Sequence, residues 1–220
     1  MAEPVQDGFL REIDEELRQE HYAKLWKKYG NYIIGAALII IVGVGGYQGW
    51  RSYDLNARMA DGELYFNAMR LASGDNPQAA AQAFSEIVLE AGGGYALLAR
   101  FQRAAALAKS GDADRAAALY GQLAGDSGID PVYRDLALVL GVLLEMDLGD
   151  PAELSRRIAP LTAEDNPWRH SVREISALLA ERSGDRTKAI ELLGDIKNDA
   201  TTPQGQRDRA EELLAALTKQ

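Results

Sequence analysis

Residues 111–126 read GDADRAAALYGQLAGD, and residues 184–199 read GDRTKAIELLGDIKND. Each opens on a Gly-Asp turn and then sets a small residue four positions before a larger one, Ala116 before Tyr120 and Ala189 before Leu193. A further pair of this kind, Ala80 before Phe84, follows the turn SGDNP at Ser73. Residues four apart share one helical face. The small one lets a facing helix approach, and the large one fills the space a turn further on. Upstream, Ala104 and Ala177 hold a small position seven residues before Gly111 and Gly184. Each unit is a helical hairpin that cannot bury its apolar face alone and must stack on the next.

The hairpins recur. Gly74, Gly111, Gly149 and Gly184 are 37, 38 and 35 residues apart, and Pro131, Pro167 and Pro203 are each 36 apart. The period lies just above the 34 residues of tetratricopeptide repeats. The helices expected are 54–73 with 77–91, 94–110 with 113–125, 131–148 with 151–160, and 167–183 with 186–197. A last helix over 203–218 sets Leu213, Leu214 and Leu217 on one side and Arg207, Asp208, Glu211 and Glu212 on the other, as a solvating cap should. The 131–148 helix is apolar nearly all round, which predicts a centrally buried element. The fold class expected is all-α.

Ahead of the repeats, residues 29–50 read YGNYIIGAALIIIVGVGGYQGW, 22 residues without a charge. At 1.5 Å per residue they make about 33 Å of helix, enough for a hydrocarbon core of about 30 Å. Trp26, Tyr29 and Tyr32 flank one end and Tyr47, Trp50 and Tyr53 the other, where amphipathic rings meet headgroups. A cleavable signal peptide fits less well, because some thirty acid-rich residues precede the most apolar part and no A-x-A site follows. Arg18, Lys24, Lys27 and Lys28 precede the span, against Arg51 and Arg58 after it. That balance predicts a cytoplasmic N-terminus and a bulk domain on the far side, the periplasm of a Gram-negative inner membrane. The expected organisation is a cytoplasmic lead-in helix over 1–28, a transmembrane helix over 29–51 and a repeat domain over 52–220. In the lead-in, Phe9, Leu10, Ile13, Leu17 and Leu25 share one face. Within the span, Gly45 and Gly49 form a G-x-x-x-G pair, the candidate contact with another membrane helix.

Composition narrows the function. With 33 Asp and Glu against 24 Lys and Arg, the net charge of -9 argues against a sequence-independent nucleic-acid binder. Without cysteine there is no disulfide framework and no thiol nucleophile, and two histidines leave little for a metal site. His170, in NPWRH, is expected on the exposed start of a helix, with Trp168 packed at the hairpin junction. The acidic pairs Glu211 and Glu212, or Asp112 and Asp114, belong to helix starts and solvated faces. No G-x-S-x-G or P-loop is present. The expectation is a non-enzymatic protein with no cofactor and no metal.

The lead-in EIDEELRQEHYAKLWKKYGNYIIG, the anchor and the two repeats quoted first together resemble the YfgM-type ancillary subunits of the SecYEG translocon, one-span proteins with a periplasmic tetratricopeptide-like domain. The repeats depart from the tetratricopeptide consensus, whose usual Trp position falls on Arg100. The resemblance implies a lateral contact with the translocon and association with a membrane-anchored periplasmic chaperone of the peptidyl-prolyl isomerase-like type. Independently of it, such stacks carry a groove built from the first helix of each pair. With the glycines as register marks, the groove takes Leu64 and Ala68, then Leu98, Phe101 and Ala105, then Leu136, Val139 and Leu143. Such a groove suits an extended chain or an amphipathic helix. The leading expectation is a translocon-associated repeat adaptor. A scaffold for envelope assembly or cell division is the alternative, and a regulatory handle in the cytoplasmic segment a third idea.

Overall fold

The computed structural model describes the backbone of residues 4–219 and the side chains of residues 22–219. Among these residues the chain is helical, with nine α-helices, one 3-10 turn and no strand. It divides into two units, Met1–Ala60 and Asp61–Gln220.

The first helix, α1, runs unbroken from Pro4 to Ser73. The lead-in helix, the apolar stretch and the helix expected from residue 54 are therefore one element. The glycines at 43, 45, 46 and 49 do not interrupt it, because glycine weakens a helix by only about 1 kcal/mol and keeps its N–H, and no proline lies between Pro4 and Pro77. Within the first unit α1 exposes its apolar side chains: Trp26, Ile33, Leu38, Ile41 and Tyr47 are all open. An 18-residue window within Tyr22–Ser73 has a mean hydropathy of 1.7 with none of it buried, so α1 is long and apolar enough to cross a membrane. Phe9, Leu10, Ile13, Leu17 and Arg18 have side chains outside the described residues, and Leu25 is exposed.

The second unit takes the end of α1 and then α2 (Pro77–Glu90), α3 (Gly93–Lys109), α4 (Ala113–Ala124), α5 (Pro131–Glu145), α6 (Pro151–Ile158), α7 (Arg169–Arg182), α8 (Arg186–Asn198) and α9 (Gln204–Thr218). From α2 onward every helix packs on its neighbour in sequence, and α9 also reaches α7. The stack starts where Ala68 of α1 meets Ala80, Ala81, Phe84, Ile87, Ala99 and Leu107. It ends where Ala177, Ala189, Leu193 and Ile196 meet Ala210 and Leu217 of α9. All the paired small and large positions are buried: Ala80 and Phe84, Ala116 and Tyr120, Ala189 and Leu193. Burying a side chain the size of Phe84 contributes about 1.5–3 kcal/mol.

The turns start each second helix. Asn76, Asp112, Asp150 and Asp185 are N-caps whose side-chain oxygens accept from the N–H groups of Ala79, Arg115, Ala152 and Lys188. Such a cap is worth about 1 kcal/mol over alanine. Three expected boundaries shift. α5 ends at Glu145 and not 148. α6 gives way after Ile158 to a 3-10 turn over Ala159–Thr162, because Pro160 has no N–H to continue the helix. α7 starts at Arg169 and not Pro167, since Asn166 accepts from the Trp168 N–H in a side-chain turn. Nor is α5 buried all round: Tyr133 and Leu143 are exposed.

Candidate functional site: the open face of the first helices

Among the candidate groove residues, Leu64, Leu98, Ala105 and Leu143 are exposed and Phe101 and Leu136 are half-buried, whereas Ala68 and Val139 are core. Register explains the split. α3 buries Ala104, Ala106 and Leu107, while α5 buries Val139, Gly141 and Val142, a shift of 35 residues in each case. The glycines gave 38, because α5 runs one residue further past its buried face than α3 does and the turn after it, EMDLGD, holds two residues more than the KSGD and RSGD turns. Val139 thus occupies the packed position of Ala104. The N-caps Asn76 and Asp112 are 36 apart, which puts Ala68 in that same small position.

With this register, the positions on α5 that match Leu98, Phe101 and Ala105 are Tyr133, Leu136 and Leu140. Tyr133 and Leu140 were missed by spacing the helices on glycine, and the extra length of the EMDLGD turn was the available signal. The α3 and α5 faces do meet: Phe101 and Leu140 pack against one cluster of Ala104, Tyr120, Leu123 and Ala137. The Phe101 and Tyr120 rings lie 6.4 Å apart and tilted by 51°, an edge-on arrangement that aromatic quadrupoles favour. Leu98, Tyr133 and Leu143 stay 41–45% exposed beside it, an open apolar face across two adjacent first helices. On α7 the matching positions are Ser171, Glu174 and Leu178, so the face turns polar there. Glu174 is held by Arg209 of α9 at 2.8 and 2.9 Å.

Cations tie the first helices together end to end. Lys109 Nζ donates to the carbonyls of Ala72 and Gly74 at the end of α1, at 3.1 and 3.4 Å. Arg182 donates in the same way to Met146 and Gly149 after α5. Free carbonyls at a helix C-terminus attract cations. A second recurrent link runs from Arg100 to Asp126 at 2.7 Å and from Arg173 to Asp199 at 2.9 Å. The Arg100 guanidinium and the Gly128 N–H hold the Asp126 carboxyl below its usual range.

His170 is buried, not exposed as expected for a helix start. Its Nδ1 lies 3.1 Å from the Thr202 hydroxyl, its Nε2 3.4 Å from that of Thr201, and Asp199 is 3.9 Å away. The segment joining α8 to α9 folds over the ring and covers it. Burial pushes its pKa down, helped by the charges of Arg169 and Arg173 and opposed by Asp199. Trp168 packs at the hairpin junction as expected, its Nε1 donating to the Val132 carbonyl at 2.9 Å. One member of each acidic pair has a structural partner: Asp112 is paired with Arg115, and Glu211 with Lys197 at 3.0 Å. Gly45 and Gly49 are exposed on α1, with open space where a Cβ would stand.

Residues 23–191 match the tetratricopeptide repeat-like domain family. No curated protein and no solved structure matches the chain.

Proposed function

The chain belongs to the tetratricopeptide repeat-like domain family, and we propose that it works as a membrane-anchored adaptor, with α1 as a single inner-membrane span, its N-terminus cytoplasmic and its repeats periplasmic. The observation that carries this reading is the open apolar face of α3 and α5. Leu98, Tyr133 and Leu143 remain exposed on helices whose other sides are packed, a surface suited to an extended chain or an amphipathic helix. The role proposed is protein–protein contact, in keeping with Asp112, Asp150 and Asp185 serving as caps and His170 being covered.

The finer assignment rests on the resemblance to YfgM-type subunits. It makes the SecYEG translocon the membrane partner, with Gly45 and Gly49 as the point of helix contact, and a membrane-anchored chaperone the periplasmic one. Photo-crosslinkers at residues 45 and 49, and separately at Leu98 and Leu143, test both halves. Translocon subunits trapped by the first pair, and a chaperone or exported chain by the second, are the expected products. Envelope-assembly or division factors at the second pair, with no translocon at the first, would replace the export role with a scaffold.

A further inference from the structure

Arg100 and Arg103 lie on the side of α3 away from Leu98, Phe101 and Ala105, since residues two or five apart fall on opposite sides of a helix. There they line a cavity of about 80 Å³ with Gln122, Val88, Leu119 and Leu123, between α2, α3 and α4. One water needs about 10–15 Å³, so the space takes a small group. Its walls hold two guanidinium groups and a side-chain amide against three aliphatic side chains, and no carboxylate.

The cations there are not balanced. Arg100 is engaged by Asp126, and Asp126 also senses Arg134. The Arg134 Nε is buried without a hydrogen-bond partner. Arg103 has neither an ion pair nor a hydrogen bond among the described residues. A chain of net charge -9 thus concentrates unmatched positive charge at one junction. The matching position on α7, Arg173, is paired with Asp199 as Arg100 is with Asp126, but the residue matching Arg103 there is Ser176, so of the two junctions only this one carries the second guanidinium.

We propose that the cavity between α2, α3 and α4 is a carboxylate site, taking the acidic group of a polypeptide partner with its aliphatic neighbour against Val88, Leu119 and Leu123. The Arg103 fork, with three N–H-bearing nitrogens and no acceptor of its own, presents the paired donors that a carboxylate accepts. Gln122 adds an amide donor. The carboxylate is that of a Glu or Asp side chain or of a chain terminus.

Methyl NMR of the full chain in detergent micelles tests this with isovalerate and its neutral isostere isovaleramide. Isovalerate should shift the Val88, Leu119 and Leu123 methyls saturably, and isovaleramide should not. Arg103→Gln should weaken isovalerate roughly tenfold or more, the effect of losing a charge-assisted hydrogen bond. Should that variant lose its fold, Gln122→Leu reads the same site. Equal shifts with the amide, or undiminished binding in these variants, overturn the site. Two peptides then identify the source, one with a free C-terminal Leu and one amidated with an internal Glu. If neither shifts the methyls, the polypeptide partner is overturned.

Discussion

Gly111 and Gly184 hold φ at +87° and +84°, where an L side chain crowds its own carbonyl. In both turns the following N–H closes back onto the helix, Asp112 to Leu107 and Asp185 to Ala180, the helix-ending pattern that glycine serves best. Gly111→Ala should therefore cost about 1 kcal/mol or more in chemical denaturation, and Gly184→Ala the same. Gly149 has an ordinary φ, yet a Cβ there would stand 3.0 Å from the Glu145 carbonyl, so alanine is disfavoured by crowding instead. His170 makes a pH-dependent contribution of opposite origin. Because burial depresses its folded pKa, the unfolded chain takes the proton first as pH falls past about 6.5. Stability should decline from there downward, and His170→Gln should flatten the decline; a slope that persists in the variant belongs to another group. Asp199 titrates well below His170, whose charge it senses. The Thr201 hydroxyl and N–H, then Arg173, hold its carboxyl at about 2. Its contribution is present above about pH 4 and fades as pH falls toward 2; Asp199→Asn should remove that lower limb and, by taking away the charge that opposes the depression of His170, deepen the decline below about 6.5.

At the scale of the element, the α5–α6 turn breaks the spacing of the stack. Its two extra residues put Leu148 in solvent at 94% exposure, and Arg182 holds the carbonyls of Met146 and Gly149 on either side of it. Arg182→Ala should raise amide exchange at Leu148 and Gly149 on the order of tenfold, the worth of a hydrogen bond from a charged donor. Unchanged exchange would mean the turn holds itself. The same turn marks what could be read from residues alone. Hairpins and the small-then-large pairs were legible because helical spacing and Gly-Asp turns are local signals. Register across α5 was not, since turn length is free to vary while burial is set by the neighbouring helices. That is why Val139 belongs to the core, while Tyr133 is on the open face beside the half-buried Leu140. His170 was misjudged for a related reason: what covers it comes from residues 199–202, 29 or more positions away, and no local pattern announces such a lid.

For the molecule as a whole, stability in the second unit is a sum of neighbour contacts, so its ends are its weak points. The C-terminal end is closed by α9, which buries Ala210 and Leu217 against Leu193 and Ile196. Arg209 pairs with Glu174, and Arg207 donates to the carbonyls of Ala200 and Thr202. Ending the chain at residue 203 would uncover Leu193 and Ile196, which are now within 1% of full burial. At about 1.5–3 kcal/mol for each large aliphatic side chain, that loss is a sizeable part of the 5–15 kcal/mol typical of a domain. Because among the described residues α9 packs mainly on α8 and to a lesser extent on α7, the damage should stay near them. Hydrogen exchange on the shortened chain should show protection falling in α7 and α8, while α3 and α4, built around Ala104, Tyr120 and Leu123, keep theirs. A uniform fall across all helices would instead show one cooperative block, and the repeats would then be neighbours in sequence without being separate units of stability.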